Sequence, residues 1–297
     1  MRKHPVAFLF LAVCVMSGLF SCVPQQKAAS TKVKLGKVDS QLVSYNKMLK
    51  DLDEAQRKKK EGNEIDDTAS ARIQKFIGAS QRDIDKLVSQ NAILIGTAVV
   101  NKDDWSRLRD ALTVSQKSLK TIADKTAFIN DLINRNTVVK LDQDVIFDPG
   151  QYVVSPDIAG KIGGFFEPAA REIDLFIKKY PNFPLSLVIT AKGYADGTSI
   201  VPGTKLYTEL KARLKLNPGE PDAKELNKEL SRARAEEVIK LFKKFTDGRS
   251  ADGSNIKNIL YLYEGKGEAL PNPRISDYNL NDPRRRVVLL FWSVFPD

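Results

Sequence analysis

LSLVITAKGYADGT, residues 185–198, decides the fold of the C-terminal half of the chain. Its first seven residues, LSLVITA, form a short run with an apolar face and several β-branched side chains, which predicts a strand. The glycines Gly193 and Gly197 follow and bracket Asp196, and small flexible residues beside an aspartate are typical of a loop. The stretch therefore predicts a strand that ends in a glycine-bounded loop carrying one carboxylate.

The sequence on either side of this strand alternates between short apolar runs and charged helical patterns. Further strands are predicted at residues 137–141, 145–147, 259–263 and 286–292. Helices are predicted at residues 169–180, where Pro181 ends the pattern, and at 223–245, where Asp222 is the expected N-cap. This order of elements indicates an α+β domain with its helices packed on one face of a sheet.

Four stretches in this half carry recognisable motifs, and their order along the chain is informative. They are VIFDPGQYVVSP at 145–156, ITAKGYADGT at 189–198, LSRARAEEV at 230–238, and GKGEALP at 265–271 with Arg285-Arg286-Val287. Together, and in this order, they resemble the OmpA-like peptidoglycan-binding domain found in peptidoglycan-associated lipoproteins. The resemblance covers residues 136–297 and implies a β-α-β-α-β-β domain with helices on one sheet.

The family's ligand is the diaminopimelate side chain of peptidoglycan stem peptides, which ends in an ammonium beside a carboxylate. Asp196 matches the family position that contacts the ammonium, and Arg234 matches the one that contacts the carboxylate, which a guanidinium can bind through two parallel N–H groups. The resemblance implies a supporting loop whose glycines let the backbone approach the ligand and present N–H groups. That loop comprises Gly193, Tyr194, Ala195 and Gly197, and the secondary basic residues are Arg285 and Arg286.

The sequence departs from the family pattern at three places. The loop has Gly193-Tyr194-Ala195-Asp196 where the family commonly has Gly-His-Thr-Asp, so Tyr194 is expected to pack where the histidine would lie. Arg284 stands where an asparagine is common. The separation of Asp196 from Arg234 exceeds that of the family, which indicates an insertion around residues 199–222. This insertion would emerge beside the ligand site, where it could cap it, block it or bind something else.

Each proposed ligand residue also has a plainer interpretation. Asp196 alone, between glycines, is most often a turn residue. Arg234 alone most often lies on a solvated helix face or pairs with Glu229 or Glu237. The Arg285-Arg286 pair could mark a charged start to a strand. Only the joint match of Asp196 and Arg234 to the family's two ligand positions favours the binding role.

Residues 35–135 carry a different pattern, with apolar side chains every three or four positions. The three seams are Leu35, Val38, Leu42, Tyr45, Leu49, Leu52; then Ile73, Ile77, Ser80, Ile84, Leu87, Asn91, Leu94; then Trp105, Leu108, Leu112, Ser115, Leu119, Ile122, Thr126, Ile129, Ile133. They predict an antiparallel bundle or a self-associating coiled coil without chemistry of its own. Through this region the protein could self-associate or bind an envelope protein. The apolar run AILIGTAVV, residues 92–100, is expected to be buried.

The first residues have the layout of an export signal: Arg2 and Lys3, then an apolar run that is too short to span a bilayer. Leu19-Phe20-Ser21-Cys22 resembles the lipobox of bacterial lipoproteins. That resemblance implies removal of residues 1–21, acylation of Cys22 and a membrane anchor, followed by a flexible tether to residue 34. Val23 favours the outer membrane, with the domains facing the periplasm. A plain secretory signal or an uncleaved anchor are the alternatives.

The composition narrows the chemistry of the mature chain. Its one cysteine is Cys22, and it has no histidine, because Cys14 and His4 both lie in the signal. This excludes a disulfide framework, a thiolate zinc site, a Ser–His–Asp triad and a Cys–His nucleophile. The signal holds two of the 47 basic residues and none of the 37 acidic ones, so the mature net charge is +8. An exported basic chain favours anionic envelope partners over nucleic acid.

The sequence therefore predicts a non-catalytic outer-membrane lipoprotein that binds peptidoglycan non-covalently, without metal or cofactor. The alternative is an envelope assembly protein that acts through its helical region, with wall binding secondary. A glycan hydrolase with paired carboxylates is a third hypothesis, but no acidic pair stands out by its spacing.

Overall fold

Three long helices precede four strands in the part of the chain that the computed structural model describes, residues 25–214, 219–247 and 256–296. The helices are α1 (Gln25–Glu61), α2 (Asp67–Gly96) and α3 (Lys102–Asn134). The C-terminal part is a small mixed sheet with helices, which confirms the predicted α+β class and the helical N-terminal region. Among the described residues, no helix is both long and apolar enough to cross a membrane.

The described chain divides into two compact units. The first comprises the chain up to Asp53 together with Lys75–Ile129, and the second comprises Glu54–Gln74 together with Asn130–Asp297. The sequence placed a single boundary after residue 135. The structure differs because the turn between α1 and α2 packs with the C-terminal sheet and belongs to the second unit.

Side-chain contacts in the first unit pair α1 antiparallel to α2. The Nε2 of Gln25 donates to the carbonyl of Val100 at 3.1 Å, and further along both helices Asn46 donates to Asp85 at 3.0 Å. A buried polar layer joins all three helices, since Nδ2 of Asn91 donates to Asp39 at 2.6 Å and to Ser115 at 2.9 Å. Most of the large apolar residues of the three seams are also buried within the single chain. The seams therefore build an intramolecular bundle.

Two expectations about this unit were wrong. Residues 25–34, predicted to be part of a flexible tether, are the first turns of α1. Ala28 is buried and lies seven residues before the buried Leu35, so the seam starts earlier than its large apolar residues indicate. The run 92–100, predicted to be buried, is mostly exposed, with Ile93 73% and Val99 75% accessible.

The second unit is built on a four-stranded sheet in the order β1-β4-β2-β3. Its strands are β1 (Val138–Asp142), β2 (Leu185–Gly193), β3 (Ile256–Gly265) and β4 (Val287–Pro296). Both β1 and β2 pair antiparallel with β4, whereas β2 and β3 are parallel. All four predicted strands at these positions are confirmed, and β2, β3 and β4 extend further than expected.

The helices of the second unit are α4 (Gln143–Ile146), α5 (Pro156–Lys161), α6 (Gly163–Lys179), α7 (Lys205–Leu214) and α8 (Ala223–Asp247). Asp222 caps α8 as predicted, because its carboxylate accepts from the amide of Glu225 at 2.7 Å. The strand predicted at 145–147 was wrong: the short helix α4 covers most of it, and a short apolar run does not by itself distinguish the two structures.

Both faces of the sheet are covered, not one as expected. Helices α6 and α8 cover the first face, where Phe176 meets Trp292 at 6.2 Å between ring centroids. Residues of the α1–α2 turn cover the other, where Arg72 lies 5.3 Å from the ring of Phe295 and Asp66 pairs with Lys192 at 3.3 Å. The apolar run VVLLFWSVF in β4 is consistent with a strand buried on both faces.

Candidate ligand-binding site

The topology of the sheet brings three chain segments to one edge. Because β1 and β2 both run antiparallel to β4, the carboxyl ends of β1 and β2 lie beside the amino end of β4. Asp142 is paired with Val287, and Gly193 is paired with Val288. The loop after β2, the helix α4 after β1 and the residue before β4 therefore meet at this edge.

A cleft of about 340 Å³ lies at this edge, and three charged side chains line it: Asp196, Arg234 and Arg286. Asp196 comes from the loop after β2, Arg234 from α8 and Arg286 from the position before β4. The two residues predicted to hold the ligand thus lie in one cleft, although 38 positions separate them in the sequence.

Asp196 is buried and makes two contacts. Its Oδ1 accepts from the amide of Thr198 at 3.1 Å, which is the local turn contact that its sequence context favours. Its Oδ2 accepts from Nη1 of Arg286 at 3.3 Å, and Nη2 of Arg286 donates to Asp144 at 2.7 Å. Arg286 therefore bridges two carboxylates on either side of the sheet edge. A ligand ammonium at Asp196 would share that carboxylate with Arg286.

Arg234 is also buried, and a built environment orients it. Its Nε donates to the carbonyl of Gln151 at 3.0 Å, its Nη1 donates to Oε1 of Gln143, and its guanidinium carbon lies 5.3 Å from the centroid of the Phe147 ring. Its Nη2 makes no hydrogen bond to any residue that the structure describes. Glu229, considered above as a partner for Arg234, instead pairs with Arg213 and Arg232.

Burial lowers the pKa of Arg234 to about 10, while Asp144 and Asp196 act in the opposite direction and Arg286 reinforces the shift. The guanidinium is still charged at neutral pH. It is a cation that protein groups already desolvate and orient, and its Nη2 amino group donates to no protein acceptor among the described residues. A group of this kind can bind a carboxylate with little further loss of side-chain entropy.

Gln143 links three chain segments beside the cleft, and the sequence did not predict this role. Its side chain is buried, its Nε2 donates to the carbonyls of Tyr194 at 2.7 Å and Val287 at 3.1 Å, and its Oε1 accepts from Arg234. Gln143 and Asp144 begin α4 and lie between the two strands that the sequence predicted at 137–141 and 145–147. The only signal available was the polar pair Gln143-Asp144 directly after β1.

The loop residues support the cleft differently from the expectation. The amides of Tyr194, Ala195 and Gly197 donate to the carbonyls of Val287, Gly267 and Leu280, so these three N–H groups do not face a ligand. A Cβ at Gly193 would lie 1.9 Å from the carbonyl oxygen of Ser231, so this glycine allows β2 to approach α8. Tyr194 packs in the core against Leu289 and Phe291, and burial raises the pKa of its hydroxyl well above the ordinary value.

Arg285 does not line the cleft, which corrects its predicted role as a secondary ligand group. Its guanidinium is buried and donates to the backbone carbonyls of Glu268, Asn279 and Leu280. It therefore orders the loop between β3 and β4. The neighbouring Arg286, by contrast, is part of the cleft.

The insertion around residues 199–222 forms one wall of the cleft. Ser199, Ile200, Val201, Thr204 and Leu206 line it opposite the charged residues. Helix α7, inside this insertion, is held to α8 by Arg213, which pairs with Glu229 at 2.8 Å and Glu236 at 2.7 Å. Buried Leu210 packs against Leu226 and Leu230. The insertion thus borders the cleft, and the cleft combines a charged side with a partly apolar one.

No group of three or more His, Cys, Asp or Glu side chains among the described residues could hold a metal ion. Cys22, the predicted acylation site, lies outside the described residues. Comparison of the chain with protein-family models and with curated proteins finds no match.

Proposed function

We propose that this protein is a non-catalytic outer-membrane lipoprotein with an OmpA-like domain that binds peptidoglycan through diaminopimelate. The observation that carries the proposal is the cleft in which the Asp196 carboxylate and the Arg234 guanidinium are both buried and oriented. An ammonium beside a carboxylate is the complementary ligand, since each end then meets a charge of opposite sign in a partly desolvated site.

The small mixed sheet of four strands with helices between its first three strands supports the proposal, because the resemblance of the four motifs implies an α+β domain of this kind. A cleft that offers one carboxylate and one guanidinium amino group without a protein acceptor gives modest affinity for a single stem peptide. Peptidoglycan repeats its stem peptides, and a lipid anchor at Cys22 would hold the protein near the wall. Both effects raise the effective concentration and make weak individual contacts sufficient.

The test is co-sedimentation of the mature chain with purified sacculi, with the variants Asp196→Asn and Arg234→Lys. Asp196→Asn keeps the shape and removes the charge, whereas Arg234→Lys keeps the charge and removes the planar fork. Both should reduce the bound fraction at least tenfold, and free diaminopimelate should compete with the wild type.

Arg232→Ala is the matched control, because Arg232 lies two residues from Arg234 on α8 and is half exposed outside the cleft. Thermal melts show which variants are folded. We call the pair of Asp196 and Arg234 the clamp. Folded Asp196→Asn and Arg234→Lys proteins that sediment with sacculi as the wild type does would refute the role of the clamp in binding.

A further inference from the structure

The last turn of α2 and the link that follows it expose apolar side chains to water. Ile93 and Val99 are 73% and 75% accessible, whereas Val100, at the end of the same run, is buried. Residues 92–100 read AILIGTAVV and contain no charged side chain. We call residues 92–99 the apolar tip. Transfer of exposed apolar side chains out of water is favourable, so the exposed tip favours an apolar partner.

The first turns of α1 lie directly beside the apolar tip. Nε2 of Gln25 donates to the carbonyl of Val100 at 3.1 Å, and Nζ of Lys32 donates to the carbonyl of Thr97. Cys22 precedes Gln25 by three positions. Three residues span at most about 10–11 Å when fully extended, so acyl chains on Cys22 would start within that distance of Gln25.

We propose that the apolar tip docks into the membrane interface next to the lipid anchor, so that the bilayer is the partner of this surface. The inference rests on the acylation of Cys22 in the proposed function and does not depend on the clamp. The tip is far too short to span a bilayer and fits partial insertion at the headgroup level. It would add a second membrane contact and restrict how α1 leaves the lipid.

The charges around the tip indicate which force drives docking. Lys27, Lys32, Lys34 and Lys102 are nearby in the sequence or in contact, and Asp103 and Asp104 start α3. The local net charge of +2 is small, so apolar burial contributes more than attraction to anionic headgroups. Docking should therefore be similar on zwitterionic phosphatidylcholine vesicles and on vesicles that contain phosphatidylglycerol.

The test uses the acylated mature chain reconstituted into vesicles, with Val99→Cys labelled by the environment-sensitive dye NBD. Cys22 is the only cysteine of the mature chain and is blocked when acylated, so the label goes to one position. The matched control is Val43→Cys, an exposed valine in the middle of α1. The label at position 99 should show a blue shift and a several-fold increase in emission, and the label at position 43 should not.

The outcomes separate this inference from the proposed function. Chains that float with the vesicles but give water-like emission at position 99 would overturn the proposal that the tip docks into the membrane. The same result would support the lipid anchor. Equal shifts at 43 and 99 would also overturn it. Chains that do not float would refute the anchor, and the tip inference would fall with it. Sedimentation with sacculi tests the clamp independently of all three results.

Discussion

At the scale of single residues, the second unit contains an ion pair that is buried against the sheet. Lys192 on β2 lies 3.3 Å from Asp66 and 2.6 Å from Asp67, and both Lys192 and Asp66 are nearly inaccessible. Asp66 also caps α2 by accepting from the amide of Thr68 at 3.0 Å. One buried ion pair therefore joins the sheet to the start of a helix. Removal of either partner would leave the other charge buried without its counterpart.

Lys192→Met removes the ammonium but keeps a side chain of similar shape. It should lower the free energy of unfolding by about 3–5 kcal/mol, because Asp66 stays buried without its partner. Urea denaturation measures this. Adding Asp66→Asn, which retains a helix cap, should recover part of the loss. Lys257→Met, at an exposed position of β3, is the control and should stay within about 0.5 kcal/mol of the wild type.

The pH dependence of stability should reflect Asp67. The hydrogen bond from Lys192 lowers the pKa of Asp67 below its ordinary value of 3.8. A carboxyl with a lowered folded-state pKa stabilises the fold above the unfolded pKa, and that contribution is lost as pH falls through the folded-state pKa. Asp67→Asn should therefore cost up to about 1 kcal/mol above pH 5 and almost nothing near pH 2, because Asp67 is half exposed. In a Lys192→Met background this pH dependence should be strongly reduced.

The residues of the cleft differ in how far the sequence could predict them. Asp196 and Arg234 lie in local motifs that identify them. Asp144 and Gln143 carry no such signal, because their roles arise from contacts with residues up to 144 positions away in the chain. Arg285 and Arg286 are adjacent in the sequence, yet one binds loop carbonyls and the other lines the cleft. Only the three-dimensional path of the chain before β4 distinguishes them.

At the scale of elements, the bundle of the first unit contains a polar layer within its apolar seams. Asn91 is buried and contacts α1 through Asp39 and α3 through Ser115. Burial raises the pKa of Asp39, and the hydrogen bond from Asn91 opposes that shift. The layer therefore favours one register of the three helices.

Asn91→Asp replaces the donor with a second carboxylate beside Asp39. The two like charges should raise the pKa of the pair, so stability should be lost as pH rises through the raised pKa. We expect a loss of about 1–3 kcal/mol at pH 7 and a smaller loss at pH 4.5, from melts at both pH values. Asn46→Asp, which creates the same pair with Asp85 at a more exposed position, should show a smaller effect. Equal pH responses of the two variants would contradict the role of burial.

Periodicity predicted long elements well and short ones poorly. The three helical seams and the longer strands were found because many residues share each pattern. The start of α1 was missed because only the small Ala28 continues the seam there. The run 92–100 was judged by its apolar composition, but it comprises the last turn of α2 and the link to α3, where few neighbours can cover it. Composition predicts what a segment would bury, and the topology decides whether it does.

At the scale of the whole molecule, the proposed function joins two activities that lie far apart in the sequence, a lipid anchor at Cys22 and a cleft formed by residues 143–286. Metabolic labelling tests the lipid anchor at Cys22 directly. In a bacterial host grown with labelled palmitate, the wild type should incorporate label and fractionate with membranes. Cys22→Ser should do neither, while its purified protein should still sediment with sacculi. Label retained in Cys22→Ser would refute acylation at this residue.

The position of β4 within the sheet has a consequence for folding. β4 is the last of the four described strands, yet it lies between β1 and β2 and is the sole partner of β1 among them. A chain that lacks the residues from Val287 onward cannot form the described sheet, because β1 and β2 then have no strand between them. Chains ending at Arg286 should be cleaved rapidly by protease, whereas the full chain should resist. The strand order thus makes pairing of β1 depend on β4, so the described sheet cannot form before its last described strand is present.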